Sequence, residues 1–146
     1  MIFELRIKKD CDESVVATVH ERTPLVDEIE RMVLQDSVID KVVGYEEDSI
    51  VMISMSDVEC FSSEGDKVFA HLRGGKTFLI KKRLYELEEI VPKEFVRISK
   101  SALANWDQVA RLNVQLSGVV NVVFKSGYSD YISRRCFAEI KRRYGL

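Results

Sequence analysis

Cysteine, histidine, proline and tryptophan are all scarce in this chain: three, two, two and one among 146 residues. Cys11, Cys60 and Cys136 are odd in number and far apart, no CxxC occurs, and neither His20 nor His71 lies beside a cysteine pair. That spacing offers neither a disulfide framework nor a zinc site, and it predicts reduced thiols in a cytoplasmic protein. Cys60 and Cys136 sit in apolar patterns and read as core fillers. No apolar run approaches the ~18 residues of a membrane-spanning helix, so no membrane insertion is expected. The start, Met1-Ile2-Phe3-Glu4-Leu5-Arg6, lacks the apolar stretch of a signal peptide. GxSxG, HExxH, a P-loop and GxGxxG are all missing, so nothing assembles toward an enzyme and no cofactor is implied.

What is present is ordinary globular material, 46% hydrophobic and 32% charged, enough for one domain with a small appendage. The net charge of −2 hides a division. Residues 1–65 carry 6 basic and 16 acidic side chains, a net of −10, and residues 66–146 carry 16 basic and 8 acidic, a net of +8. A basic half on an otherwise acidic chain can grip phosphates while the remainder repels them.

Along the chain, residues 2–9 and 14–20 alternate as two strands of a hairpin. Thr23-Pro24 starts a helix to about Gln35, with Leu25, Val26, Ile29, Met32 and Val33 at helical spacing. This β-β-α unit, residues 1–40, is too small to bury its own apolar face and is expected to serve self-association. It also leaves no room for a phosphorylated receiver domain. From Val38 onward short strands and turns recur every eight to twelve residues: 42–45, 49–55, 58–62, 67–73, 77–81, then 110–116, 119–125 and 128–132. Gly74-Gly75 reads as a two-residue hairpin turn. Short helices are predicted at 83–91, stopped by Pro92, and at 134–144, followed by Gly145. The fold class is mainly β, with antiparallel sheets and few helices.

Two stretches invite chemistry. Phe95 to Asn105 begins as a strand and breaks into Ser99-Lys100-Ser101, two hydroxyls around one cation, before an apolar run and Asn105. Ser99, Lys100, Ser101 and Asn105 can all donate to phosphate oxygens or base edges, although such a turn can equally be solvated and no more. The second stretch is Ser133-Arg134-Arg135. Ser133 sits where an N-cap belongs, and the two arginines occupy the first helical turn, where cations oppose the macrodipole. Free helix-start amides with two guanidiniums suit a phosphate, and arginine reads guanine bidentately. Lys81-Lys82-Arg83 is a further basic run, suited to phosphates. Lys141-Arg142-Arg143 complements the dipole at a helix end and needs no ligand.

Phe95–Asn105 resembles the characteristic stretch of the LytTR-type DNA-binding domain, the output module of many bacterial response regulators. That family reads F-x-R-I-H-[RK]-S, a short apolar run, then N. This chain agrees at Phe95, Arg97, Ile98, Lys100, Ser101 and Asn105 and departs at Ser99, where His is usual. Tyr131-Ile132-Ser133-Arg134-Arg135 resembles the family's closing V-S-R block, and the likeness spans residues 41–146.

The resemblance implies an arginine contacting bases in that block, Arg135 as the better match and Arg134 as the alternative. It implies a DNA-facing loop at Ser63–Lys67, where Glu64 and Asp66 are acidic and Lys67 is the favoured contact. It also implies direct-repeat sites on double-stranded DNA, bound by two copies through loops and helix ends. The expectation is a sequence-specific transcription regulator, homodimeric and open to a regulatory protein partner. The alternative is a protein-interaction module on the same β fold.

Overall fold

The computed structural model describes residues 2–36 and 40–146. The chain divides into two units, Met1–Ser37 and Val38–Leu146. The linker expected around Ser37 and Val38 lies outside the described residues.

In the first unit one helix forms, α1 (Pro24–Asp36). Thr23 caps it, its hydroxyl accepting from the Val26 N–H at 3.4 Å and its carbonyl from the Asp27 N–H at 3.1 Å. Exposed ion pairs, Arg22 with Asp27 and Glu30 and Arg31 with Glu28, decorate it. The two expected strands are a correction: residues 2–22 carry no strand or helix, and Phe3, Leu5, Ile7, Val15 and Val16 are exposed. A lone two-stranded hairpin is marginal in water, and alternation fixes a strand only where one face has a core to meet.

The second unit is antiparallel β throughout. A seven-stranded sheet comprises β1 (Lys41–Glu46), β2 (Ser49–Ser54), β3 (Val58–Glu64), β4 (Lys67–Leu72), β5 (Thr77–Ile80), β6 (Phe95–Ser99) and β7 (Ala102–Asn105). Their spatial order is β2-β1-β5-β4-β3-β7-β6. A second sheet, β10-β9-β8, is built from β8 (Val109–Val114), β9 (Val120–Phe124) and β10 (Ser129–Ile132). Helix α2 (Leu84–Ile90) precedes β6, and α3 (Arg134–Tyr144) closes the chain.

The β4–β5 connection differs from the two-residue turn expected at Gly74-Gly75. The Leu72 N–H reaches the Lys76 carbonyl at 2.8 Å, so the loop is Arg73-Gly74-Gly75, and Gly75 takes the left-handed position, φ 86°. Helix α3 ends on Gly145 at φ 70°, a C-terminal position that disfavours side chains.

Alternation in the strands feeds two cores. One face sends Val42, Ile53, Phe61, Phe78, Leu103 and Phe95 against Leu84 and Leu87 of α2. The other sends Cys60, Val96, Ile98, Ala102 and Ala104 against Val120, Val122 and Phe124 of the small sheet and Cys136 and Ile140 of α3. Strands β3, β7 and β6 are therefore buried on both faces, which is why they read as nearly continuous apolar runs. Burial holds the Cys60 thiol far above its ordinary range, so it is an inert filler. Glu59 is fully buried at a bulge in β3. Its carboxylate accepts from the backbone N–H and the hydroxyl of Ser126, fastening the large sheet to the β9–β10 turn.

Gly44 in β1 marks the tightest approach: a Cβ there would lie 2.5 Å from Ile53 Cδ1 and 3.0 Å from Phe78 Cβ. Gly44→Ala should lower unfolding free energy by about 1–3 kcal/mol through overpacking. Urea denaturation with an unchanged midpoint would show that this contact is slack.

Candidate nucleic-acid interface

The sheet pairings bring the predicted residues other than Asn105 to one end of the second unit, while Asn105 pairs with Phe95 at the opposite end of β6. Strand β6 runs toward that end and leaves its ladder through a register shift between Arg97 and Ser99. Arg97 then holds the departing chain. Its Nε donates to the Ser99 carbonyl at 2.7 Å, one terminal nitrogen to the Lys100 carbonyl at 2.8 Å, and the other to Glu88 of α2 at 2.9 Å. With two carbonyls tied inward, the Lys100 side chain stands exposed at the apex of the turn.

Two backbone hydrogen bonds fix what flanks that turn. The Ser63 N–H donates to the Ser101 carbonyl at 2.8 Å, joining the end of β3 to it. The Ser133 N–H donates to the Ile98 carbonyl at 2.8 Å, setting the start of α3 beside the end of β6. The two stretches singled out in the sequence, 35 or so residues apart, are thus neighbours. Beyond β3, the hairpin pair Glu64↔Lys67 and the pair Val68↔Ile80 bring Lys67 and Lys81 to adjoining strand ends. Lys82 follows. The result is a row: Arg134 and Arg135, then Lys100, then Lys67, then Lys81 and Lys82.

The cations in that row are exposed. Among the described residues, Lys67, Lys82, Lys100, Arg134 and Arg135 have no ion pair, and Lys81 sits 4.1 Å from the centroid of the Tyr45 ring. Arg134 and Arg135 do not fold back onto carboxylates of the described residues. Ser133 is the N-cap as expected, its hydroxyl accepting from the Cys136 N–H at 3.3 Å, so Arg134 and Arg135 occupy the first turn uncompensated. By contrast, Arg143 in the last turn donates to the Lys93 carbonyl. Glu64 and Asp66 remain at the hairpin tip, exposed, as the acidic break in the row.

Two expected contacts are corrected. Ser99 is 1% exposed, and its hydroxyl accepts from the Ser101 N–H at 3.2 Å. Asn105 is 3% exposed; its amide donates to the Val58 carbonyl at 3.0 Å, and its oxygen accepts from the Asp107 N–H at 3.1 Å. Both side chains are consumed in closing the fold, since a buried polar group without a partner is costly. Ser101 is half-buried beside Ser99, with the two hydroxyls 3.3 Å apart. The residue that the sequence underplayed is Arg97. An arginine alternating with apolar neighbours in a strand is its signal, but the carbonyls it binds exist only after the bulge forms.

The profile of the LytTr DNA-binding domain matches residues 48–145. The chain belongs to the LytTR family. Relatives from Staphylococcus aureus, each named an uncharacterized HTH-type transcriptional regulator, support the membership. The one from strain COL is 35% identical over 105 residues, covering 72% of this chain and 71% of the relative. The one from the bovine strain RF122 is 37% identical over the same length and coverage. Among solved structures, the LytTr DNA-binding domain of a Bacillus cereus protein described as a methyl-accepting/DNA response regulator superposes with a TM-score of 0.69. At 17% identity, covering 74% of this chain and 99% of that one, it shows a shared LytTR fold. No described helix is long and apolar enough to cross a membrane.

Arg97 offers a test of the LytTR end. Arg97→Lys keeps the charge but cannot span two carbonyls and Glu88 together. Its affinity for a duplex selected from a random pool should fall about tenfold, or ~1.4 kcal/mol, by fluorescence anisotropy. Binding equal to the parent would mean the clamp does not position Lys100.

Proposed function

We propose that this protein is a sequence-specific, cytoplasmic regulator of transcription that sets its row of strand ends on double-stranded DNA. The observation that carries this is the unpaired cation row of a LytTR-family fold, stitched together by the Ser63–Ser101 and Ile98–Ser133 backbone bonds. Arg135, or Arg134 beside it, reads a base edge from the start of α3. Lys100 and the Ser101 hydroxyl follow from the clamped turn. Lys67, Lys81 and Lys82 supply phosphate contacts that set orientation and not sequence. The acidic first half of the chain keeps other surfaces off the duplex. The sites are direct repeats, each taken by one copy.

Binding should weaken by orders of magnitude from low to moderate salt, because each phosphate contact releases counterions. Arg135→Ala should lose about 1–3 kcal/mol on the selected site and relax preference at one base position. Lys82→Ala should weaken all sequences alike and lower the salt slope. A flat salt response would remove DNA as the ligand. Unaltered discrimination by Arg135→Ala would move the base contact to Arg134.

The protein acts as a homodimer joined through residues 1–36. The apolar side chains there, from Ile2 to Leu34, are largely exposed, and α1 is amphipathic and acidic. A unit of this size needs a partner surface to bury them. Removing residues 1–36 should leave the β unit folded and monomeric by analytical ultracentrifugation, with weaker binding to a two-repeat duplex. A truncated protein that still dimerises would sink this assignment.

A further inference from the structure

At the end of β6 opposite the Lys100 turn, where Phe95 pairs with Asn105, a concavity of about 250 Å³ opens. Two single-turn 3-10 helices, Met55–Asp57 and Trp106–Gln108, build it together with the chain entering β6. Asp40, Glu94 and Asp107 line it, and no lysine, arginine or histidine does. Their backbones are pinned. The Asp40 carbonyl accepts from the Met55 N–H at 2.8 Å, and the Glu94 carbonyl from the Trp106 N–H at 2.8 Å. The Asp107 N–H donates to the Asn105 side chain at 3.1 Å. Among the described residues the three carboxylates make no ion pair, and neither do the exposed Lys41 and Lys93 that adjoin two of them in sequence.

An acidic cluster alone selects no ligand; the deciding atom is Gln108 Oε1. Gln108 is 8% exposed, and its Nε2 donates to the Ser56 carbonyl at 2.9 Å, which ties the two short helices together and fixes the amide's orientation. Its Oε1 is left buried in the wall of the concavity, with no hydrogen-bond partner among the described residues. A buried acceptor without a partner is unfavourable and calls for a donor. The surrounding carboxylates call for positive charge as well. They do not gather as metal ligands do: among the described residues no three of His, Cys, Asp and Glu are grouped to hold an ion. Acceptors spread over a pocket suit a cation with spread donors, and a guanidinium carries five in one plane. Met55 and Phe95 offer apolar wall to its stem.

We propose that this concavity binds a guanidinium group, borne by a small molecule or by an arginine of another protein. Gln108 Oε1 and the carboxylates of Asp40, Glu94 and Asp107 are its acceptors. A pocket of this charge repels phosphate, so the site is separate from the cation row, and its failure would leave the DNA reading untouched.

The test titrates butylguanidinium into the isotope-labelled full chain at constant ionic strength. The Gln108 side-chain amide signals should shift saturably. Tetramethylammonium, a cation without N–H donors, and magnesium should not reproduce the shift. The hydrogen bonds that Glu94 and Asp107 make within the fold use backbone groups alone, so Glu94→Gln and Asp107→Asn should melt like the parent. Each should weaken binding about three- to tenfold, since a charge-assisted bond becomes a neutral one. A short arginine peptide that binds about tenfold more tightly than butylguanidinium would assign the group to a protein partner, and weaker binding would assign it to a free small molecule. No saturable shift, an equal shift with tetramethylammonium or magnesium, or parent-like binding by both variants would overturn the site.

Discussion

The geometry of the end that carries the cation row depends on one guanidinium. Past the bulge between Arg97 and Ser99 the chain turns, leaving the Ser99 and Lys100 carbonyls in need of donors, and a bare carbonyl beside a packed core is unfavourable. Arg97 satisfies both and spends its remaining nitrogen on Glu88, so the turn is held by the strand that enters it and by α2 behind it. Charge-assisted bonds of this kind are stronger than neutral ones, and the planar fork sets their angle. Lys100 inherits its direction from that arrangement.

Rigidity behind the turn comes from burial on both faces. Strands β3, β7 and β6 separate the two cores, and they are the strands whose ends carry the turn and the β3–β4 hairpin. Alanines at 102 and 104 present small side chains to the second core, where Val122 and Phe124 fill the space. The buried Glu59 carboxylate spans the sheets with two donors from Ser126, a satisfied polar tie that fixes their mutual position. A surface made of turns can hold its side chains in register only on such a frame.

The charges follow the same division of labour. Cations that serve the fold have partners: Arg97 with Glu88, Arg73 with Asp57 at 3.9 Å, Arg143 with a backbone carbonyl. Among the described residues those in the row at the strand ends have no carboxylate partner, and Arg134 and Arg135 stand against the helix dipole as well. Local unfavourable electrostatics held in place by a satisfied core is the expected signature of a surface kept ready for an anion.

The sequence by itself determined the β class, most strand positions, the Ser133 cap, the Gly145 stop and the charge division, since these rest on local periodicity and near-neighbour sterics. It also marked Lys100, Arg134 and Arg135 as candidate contacts, and their exposure came from the fold. Only the tertiary structure decided the fates of Ser99 and Asn105, whose polar atoms are claimed by Ser101, Asp107 and the distant Val58. It likewise decided that residues 2–22 form no hairpin ladder and that β6 and α3 share the Ile98–Ser133 bond. A residue's type tells which bonds it can make, but burial and the approach of remote backbone decide which of those bonds remain for a ligand.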